Sequence, residues 1–349
     1  MSKAVVTGGA SFIGSHLVEK LVARGDEVTV LDDFSSGSKE NLADVSSRIS
    51  VFRVDLMDPV QCLNSIHEGQ VDIVYHLAAD HGGRGYVWTE QIATAKNFAL
   101  DQNVFQACIR RKVPTIVYAS SGCAYPMHLQ GNPQEFRYLR EEDIGPPYDP
   151  DGLYGHAKLV GELTLERMAI EYGTNYAACR FFTVYGPRAK ENHAVIAMIA
   201  RAFIKQDPFE FWGDGSAIRN WTYVDDIVDG MIAAGDEAVK GSSMSINLGN
   251  MERITVNQGV LSVVALAQQY YDLKDAGLGT KYNPSFRPDT YKPVGPVNRV
   301  CDNTRMTDLL GRGAISFEDG LHRTLQWYFE TKDVEYIKSN LERLLIAKQ

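Results

Sequence analysis

Along the first half of the chain, short apolar runs alternate with amphipathic stretches. Ala4–Val6, Val28–Leu31, Ile49–Val54, Ile73–Leu77 and Thr115–Ala119 read as buried strands. Between them, Ser15–Ala23 carries Leu17, Val18, Leu21 and Val22 at helical spacing, and Ala95–Arg110 reads as a second helix. Alternation of this kind predicts an α/β fold, a parallel sheet with helices on both faces. Pro126 to Asp151 is rich in proline, glycine and charge. It is too long for a simple connector and reads as a functional loop over a site. A long helix is predicted from about Leu153 to Tyr172. Beyond Phe182 the pattern is less regular: "VYGPRAKENHAV", a helix to Lys205, "FEFWGDGSAIRNWTYVDD", another helix, then "SMSINLG". A second loop-rich stretch, Ala276–Val297, precedes the last helices.

Composition narrows the class of function. The 349 residues are 44% hydrophobic and 23% charged, as expected for one large globular domain or two interlocked ones. The net charge of -9 argues against nucleic acid or an anionic membrane as partner, since both need a basic footprint. A small anionic ligand held by a few local arginines remains compatible. The five cysteines are scattered and odd in number, which points away from a disulfide framework and toward a reducing cytoplasm. No stretch has the ~18 apolar residues of a membrane span. The N-terminus enters a strand at once, with no signal-peptide layout. No metal site is expected.

Two local patterns carry chemistry. "TGGASFIGSHL" at Thr7–Leu17 joins the first strand to the first helix. Gly8 and Gly14 bracket the turn, where bare backbone and a helix N-terminus can receive a pyrophosphate. Asp32 closes the second strand. Its carboxylate suits the two ribose hydroxyls and, with Asp33 beside it and no arginine near, repels a 2′-phosphate, so NAD is favoured over NADP. "YGHAK" places Tyr154 and Lys158 four residues apart on one helix face. An ammonium there, helped by an oxidised nicotinamide, is expected to lower the phenol's pKa so that it can take a proton from a sugar hydroxyl.

The ordered set "TGGASFIG", "LDD" at 31–33, "VDL" at 54–56, "HLAA" at 76–79, "YASSGCAYP" at 118–126, "YGHAK", "RFFTVYGP" at 180–187 and "RNWTYVDD" at 219–226 resembles the extended short-chain dehydrogenase/reductases that act on nucleotide sugars. The resemblance covers most of the chain. It implies a Rossmann-type, doubly wound parallel sheet with a smaller α/β C-terminal substrate domain. The NAD-binding part would span 1–180 with a returning segment at about 222–250, and the nucleotide-sugar-binding part 181–221 and 251–349. By position, Gly8, Ser11, Phe12, Ile13 and Gly14 would line the pyrophosphate and Asp32 would hold the adenosine ribose. Asp55 and Leu56 would flank the adenine, and Ala78 and Ala79 would lie along the cofactor with Asn97 behind. Ser121 would share the proton at the sugar O4 with Tyr154, and Lys158 would also bind the nicotinamide ribose. Arg219 and Arg299 match phosphate-binding arginines, and Gly83, Arg84, Thr183, Lys190 and Trp212 would complete the substrate side. The family also implies a homodimer, through the helices near 95–110 and 154–172.

Which reaction follows depends on Gly122-Cys123. The 4,6-dehydratases carry an Asp-Glu pair there, and the decarboxylases a glutamate at the cysteine position. "YASSGCAYP", "LAADHGGRGYV" and "FEFWGDG" are most similar to the GDP-mannose 3,5-epimerases, in which a cysteine at this position acts on the ring carbons of a 4-keto sugar. The opposing group in that family is a lysine. Here His193 stands in its place, with Lys190 three residues earlier. "RFFTVYGP" is also similar to UDP-glucuronate 4-epimerases, so a simple 4-epimerase stays open. A non-catalytic NAD-sensing protein on the same fold is the more remote alternative, since both Tyr154 and Lys158 are present. The nucleotide base is not readable. Phe209–Asp214 and Asn283–Val297 are the stretches expected to select it.

Overall fold

The computed structural model describes residues 1–131, 136–274 and 281–346. The two predicted loop stretches thus fall partly, at 132–135 and 276–280, outside the described residues. Seven strands form one sheet, all paired parallel: β1 Lys3–Thr7, β2 Glu27–Asp32, β3 Ile49–Arg53, β4 Ile73–His76, β5 Thr115–Ser121, β6 Asn175–Phe181 and a seventh, Met244–Leu248. Their order is Met244–Leu248, β6, β5, β4, β1, β2, β3. The winding reverses between β1 and β4, where Thr7 pairs with Leu31 on one side and His76 on the other. At such a reversal the loops leaving the strand ends splay apart and open a crevice.

The first helix, α1 (Phe12–Arg24), starts three residues before the predicted Ser15. Ser11 is its N-cap in extended conformation, and Gly25 ends it at φ 95°, a left-handed turn that suits glycine. Its face of Leu17, Val18 and Leu21 is fully buried against Val6 and Val30. Each such side chain contributes about 1.5–3 kcal/mol. Two elements had no strong periodic signal: a 3-10 stretch Lys39–Arg48, and the helix Pro59–Ser65, capped by Asp58, which accepts from the Val60 and Gln61 amides. One expectation needs correction. β3 is not a buried strand, because it is the sheet edge and residues 50–53 are exposed.

The helix Gly152–Tyr172 turns Tyr154, Lys158, Glu162 and Leu165 inward. Three of those four buried positions are polar or charged, a cost that a purely structural helix avoids. After β6 the chain leaves the sheet and builds short pairings. Val184–Tyr185 lies beside Thr222–Tyr223, and Phe209–Trp212 beside Phe286–Asp289. Ile218–Arg219 lies between Ile254–Thr255 and Asn298–Arg299. The helix Val224–Val239 then leads back to the seventh strand.

Candidate active site

A cavity of about 650 Å³ runs from the loops that follow β1, β2, β4 and β5 to the segments that carry Arg219 and Arg299. At one end are Gly8, Ser11, Phe12, Ile13, Asp32, Asp55, Leu56, Ala78 and Ala79. Gly8 has φ +68°, and a Cβ there would stand 2.8 Å from the Ala78 amide nitrogen. A Cβ on Gly14 would stand 2.2 Å from the Gly8 carbonyl oxygen. The loop after β1 is thus met by the helix at Gly14 and by the loop after β4 at Gly8, so closely that only hydrogen fits at either point. The Ser11 hydroxyl donates to the Gly8 carbonyl (2.5 Å) and caps no helix amide, which leaves the first turn of α1 without a side-chain cap. Asp32 accepts from the amides of Ala10 (2.9 Å) and Phe34 (2.8 Å), one on each oxygen. Burial raises its pKa, and the two amides oppose that. A bare-backbone cradle, an uncapped helix N-terminus and a carboxylate at the end of β2 fit a dinucleotide.

Beside this end stand Ser121, Tyr154 and Lys158. Ser121 hydrogen-bonds Tyr154 and also accepts from the Cys123 amide (3.1 Å). Burial pushes the Tyr154 phenol pKa up in the protein alone, Cys123 and Asp101 add to that, and the bond to Ser121 works the other way. The Lys158 ammonium lies 4.6 Å from the Tyr118 ring centroid and 5.9 Å from that of Tyr154. Burial lowers its pKa, while the anions Asp101 and Glu162 oppose the shift. Both anions are held from behind. Asp101 receives the Tyr118 hydroxyl (2.5 Å) and pairs with His76 (3.1 Å), which in turn meets Thr7 (2.7 Å). Glu162 is gripped by Arg180 and by Ser120.

Cys123 is half-buried, lines the cavity and receives an N–H from Arg299 at 3.1 Å. Arg299 also donates to Gln130 (2.7 Å) and Asp151 (2.8 Å). Asp151 is the residue that sequence reasoning missed here. Its buried carboxylate, on a side chain 6% exposed, joins Arg299 to Arg84 (2.7 Å). Burial alone would raise its pKa, but Arg299 and Arg84 hold it below the usual carboxylate range. Arg219 is in the same group. Burial, with Arg299 and Arg84 beside it, pushes it down to about 9. Its guanidinium donates to the carbonyls of Ile218 and Val294. Three guanidiniums thus gather around one carboxylate that pairs with two of them, Arg84 and Arg299, an arrangement that favours an added anion. Thr183, at φ 27°, and Trp212 complete this end.

Several assigned residues do other work. Asn97 does not reach the cavity, because its amide is committed to both backbone groups of Asp80 (2.7 and 2.9 Å). Gly14 does not line it either and serves the close packing described above. Gly83 lines it, but a Cβ there would overlap the Asn192 carbonyl, so its place is also a packing contact. Lys190 donates to the Ser36 carbonyl (3.0 Å), tying its segment to the loop after β2, and Arg188 does the same at Asn41. His193 lines the cavity, yet its Nε2 is buried without a partner. Burial, with His81 and Lys190 nearby, pushes its pKa down to about 3, so the imidazole is neutral at pH 7. A histidine titrating near neutrality is therefore not what this position holds. His81, which the sequence did not single out, lies with its ring centroid 5.1 Å from Tyr154. Among the described residues no group of three or more His, Cys, Asp or Glu could hold a metal. No helix there is long and apolar enough to cross a membrane.

Comparison with known proteins places this geometry among relatives. The NAD dependent epimerase/dehydratase family matches residues 4–249. The UDP-N-acetyl-alpha-D-glucosaminuronate decarboxylase of Bacillus cytotoxicus is 30% identical, the match covering 95% of this chain and 99% of the relative. GDP-mannose 3,5-epimerase 1 of Oryza sativa subsp. indica is 28% identical, over 95% of this chain and 82% of the relative. The crystal structure of a Thermus thermophilus UDP-glucose 4-epimerase complex with NAD superposes with a TM-score of 0.79 at 26% identity, covering 95% of this chain and 100% of that one.

Proposed function

This chain belongs to the NAD dependent epimerase/dehydratase family, and on that premise we propose that it is a nucleotide-sugar epimerase working through a transient 4-keto sugar, with Cys123 as an acid–base group on a ring carbon. The observation that carries this reading is Cys123 itself. It stands in the cavity with Tyr154, Ser121 and Lys158, and an Arg299 N–H is directed at its sulfur. The cradle of Gly8, Ser11, Phe12 and Ile13 would hold the NAD pyrophosphate, Asp32 the adenosine ribose, and Asp55 and Leu56 the adenine edge. When bound, NAD would supply the hydride acceptor for C4 and the hydride that C4 later regains.

The chain's own groups do the rest. Ser121 and Tyr154 hold the C4 hydroxyl, and Tyr154 takes its proton as the ketone forms. Lys158, a buried cation between Asp101 and Glu162, favours the phenolate form of Tyr154 that takes this proton. The ketone acidifies the protons on C3 and C5. Cys123 exchanges one of these, and Arg299 supports the negative charge that remains on sulfur after the thiol delivers its proton. Arg84, Arg219 and Arg299 supply the charge that a diphosphate needs. In this reading residues 1–180 and about 222–250 hold the cofactor, and 181–221 with 251–349 hold the nucleotide sugar. The protein works as a homodimer through the helices near 95–110 and 154–172. Exposed Val160, Ile170 and Tyr172 on the latter support that surface.

A simple 4-epimerase is the second reading. It is favoured by the loss of both assigned opposing groups, since Lys190 is bound to Ser36 and the His193 Nε2 is shut away. Turnover of a nucleotide-sugar panel in heavy water separates the two. Ring-carbon chemistry leaves deuterium at C3, C5 or both, and Cys123→Ala removes it. Inversion at C4 with no carbon-bound deuterium would leave the 4-epimerase reading standing and Cys123 as a packing residue. Release of carbon dioxide from a uronate donor would displace both.

A further inference from the structure

A proton removed from one face of a sugar ring and restored on the other needs two groups, and Cys123 is one. We infer that His81 is the second: it exchanges the proton on the ring face opposite Cys123. This rests on the 4-keto epimerase reading above.

Three observations carry it. His81 lines the cavity, on the loop that leaves the C-terminal end of β4 at the winding reversal. Its ring is tilted against Tyr154 at 5.1 Å between centroids, which sets an imidazole beside the phenol that serves C4. The carbons to be inverted, C3 and C5, are the immediate neighbours of that atom. The loop is also firmly seated. Gly82 packs under Tyr86, Gly83 meets the Asn192 carbonyl, and the Tyr86 hydroxyl donates to Asp80 (2.7 Å). His81 and His193 are adjacent, 6.2 Å between centroids, but they are not equivalent. His193 is pressed between His81 and Phe12, with its Nε2 enclosed.

The chemistry balances without any further reagent. Neutral imidazole takes the proton from a carbon next to the ketone, and the C–H electron pair moves into the carbonyl as an enolate. The enolate carbon then takes the Cys123 proton on the opposite face, which leaves a thiolate. Imidazolium gives its proton to water, the thiolate takes one from water, and nothing is oxidised or reduced. Run in reverse, the same pair inverts the epimer back. An imidazole can act in both directions near neutral pH.

The test follows a sugar that the native enzyme turns over in heavy water, with inversion, carbon-bound deuterium and oxidation at C4 measured separately. His81→Ala is expected to slow inversion at C3 or C5 by roughly 10²- to 10⁴-fold. It should still oxidise C4 and, when given the product epimer, whose ring proton faces Cys123, still wash deuterium into that position, and free imidazole should restore part of the inversion. Inversion by His81→Ala at the native rate overturns the assignment and leaves the epimerase reading intact. A variant that loses C4 oxidation together with inversion also overturns it, because His81 would then be serving Tyr154. No carbon-bound deuterium from the native enzyme sinks the epimerase reading itself, and His81 with it.

Discussion

Replacing Asp151 with asparagine removes one negative charge and almost no volume from the point where Arg84 and Arg299 meet. The carboxylate is buried and takes an N–H from each guanidinium, at 2.7 and 2.8 Å. Breaking a buried pair by removing one partner costs about 3–5 kcal/mol, because the remaining charge stays buried. An asparagine oxygen still accepts hydrogen bonds, so the lower end, about 3 kcal/mol, is expected. Asp151 is the N-cap of the helix that carries Tyr154, but its side chain caps no amide, so capping adds nothing to this loss. In a chain of this size about 2 °C accompanies each kcal/mol, which gives a fall in Tm of about 6 °C. Thermal unfolding followed by circular dichroism measures it. Inorganic pyrophosphate should raise the variant's Tm more than the native protein's, since it supplies the missing charge. The pH dependence has a fixed sign. The folded pKa of Asp151 lies below that of an unfolded carboxylate, about 3.9. Its contribution is therefore complete above about pH 4 and is lost as pH falls through the folded value. The gap between the native protein and Asp151→Asn should close in that acid range. A variant that melts within about 1 °C of the native protein at neutral pH would refute the account of Asp151 as the shared counter-charge.

Tyr154→Phe should abolish turnover while the protein still gains thermal stability from NAD, because the ring fills the space and only the proton carrier is gone; substantial activity in a clean preparation would remove Tyr154 from the chemistry. Asp32→Ala should weaken NAD binding by about 1–2 kcal/mol, read by calorimetry. It should also lower stability without ligand by about 2 kcal/mol, because the Ala10 and Phe34 amides both lose an acceptor. A variant that binds NAD less well but keeps the native Tm would show that the two amides find other partners.

What the sequence made legible follows from how local each constraint is. The cofactor end could be read because Gly8, Gly14 and Asp32 answer to backbone geometry within one strand–helix–strand unit. Tyr154 and Lys158 could be read because a helix brings residues four apart together. Arg219 and Arg299 were found only through resemblance, and their shared partner was not found at all, since Asp151 lies 148 positions from Arg299. The anions behind Lys158 escaped for the same reason. Asp101 sits on a helix where it would ordinarily face water, and only the fold brings it to Tyr118 and His76. The exposure of β3 was invisible because its residues alternate no differently from those of a covered strand, and its place at the edge is a property of the whole sheet. His193 shows the converse. A residue type suited to proton transfer stands at an expected position, while its burial and its lowered pKa are properties of the whole fold that the position alone does not reveal.

The strand Met244–Leu248 completes the sheet only after a long excursion. Its partner β6 lies in register some 67 positions earlier, Ala177 against Met244. At a synthesis rate of about 5–20 residues per second, β6 waits roughly 3–13 s on the ribosome with one side unpaired. Open strand sides of that kind template association with other chains. The segment made during the wait carries Arg219 and the helix Val224–Val239, which packs on β5 and β6. That helix can cover the apolar face of β6 before its edge is paired, so the order of synthesis itself shields the growing sheet.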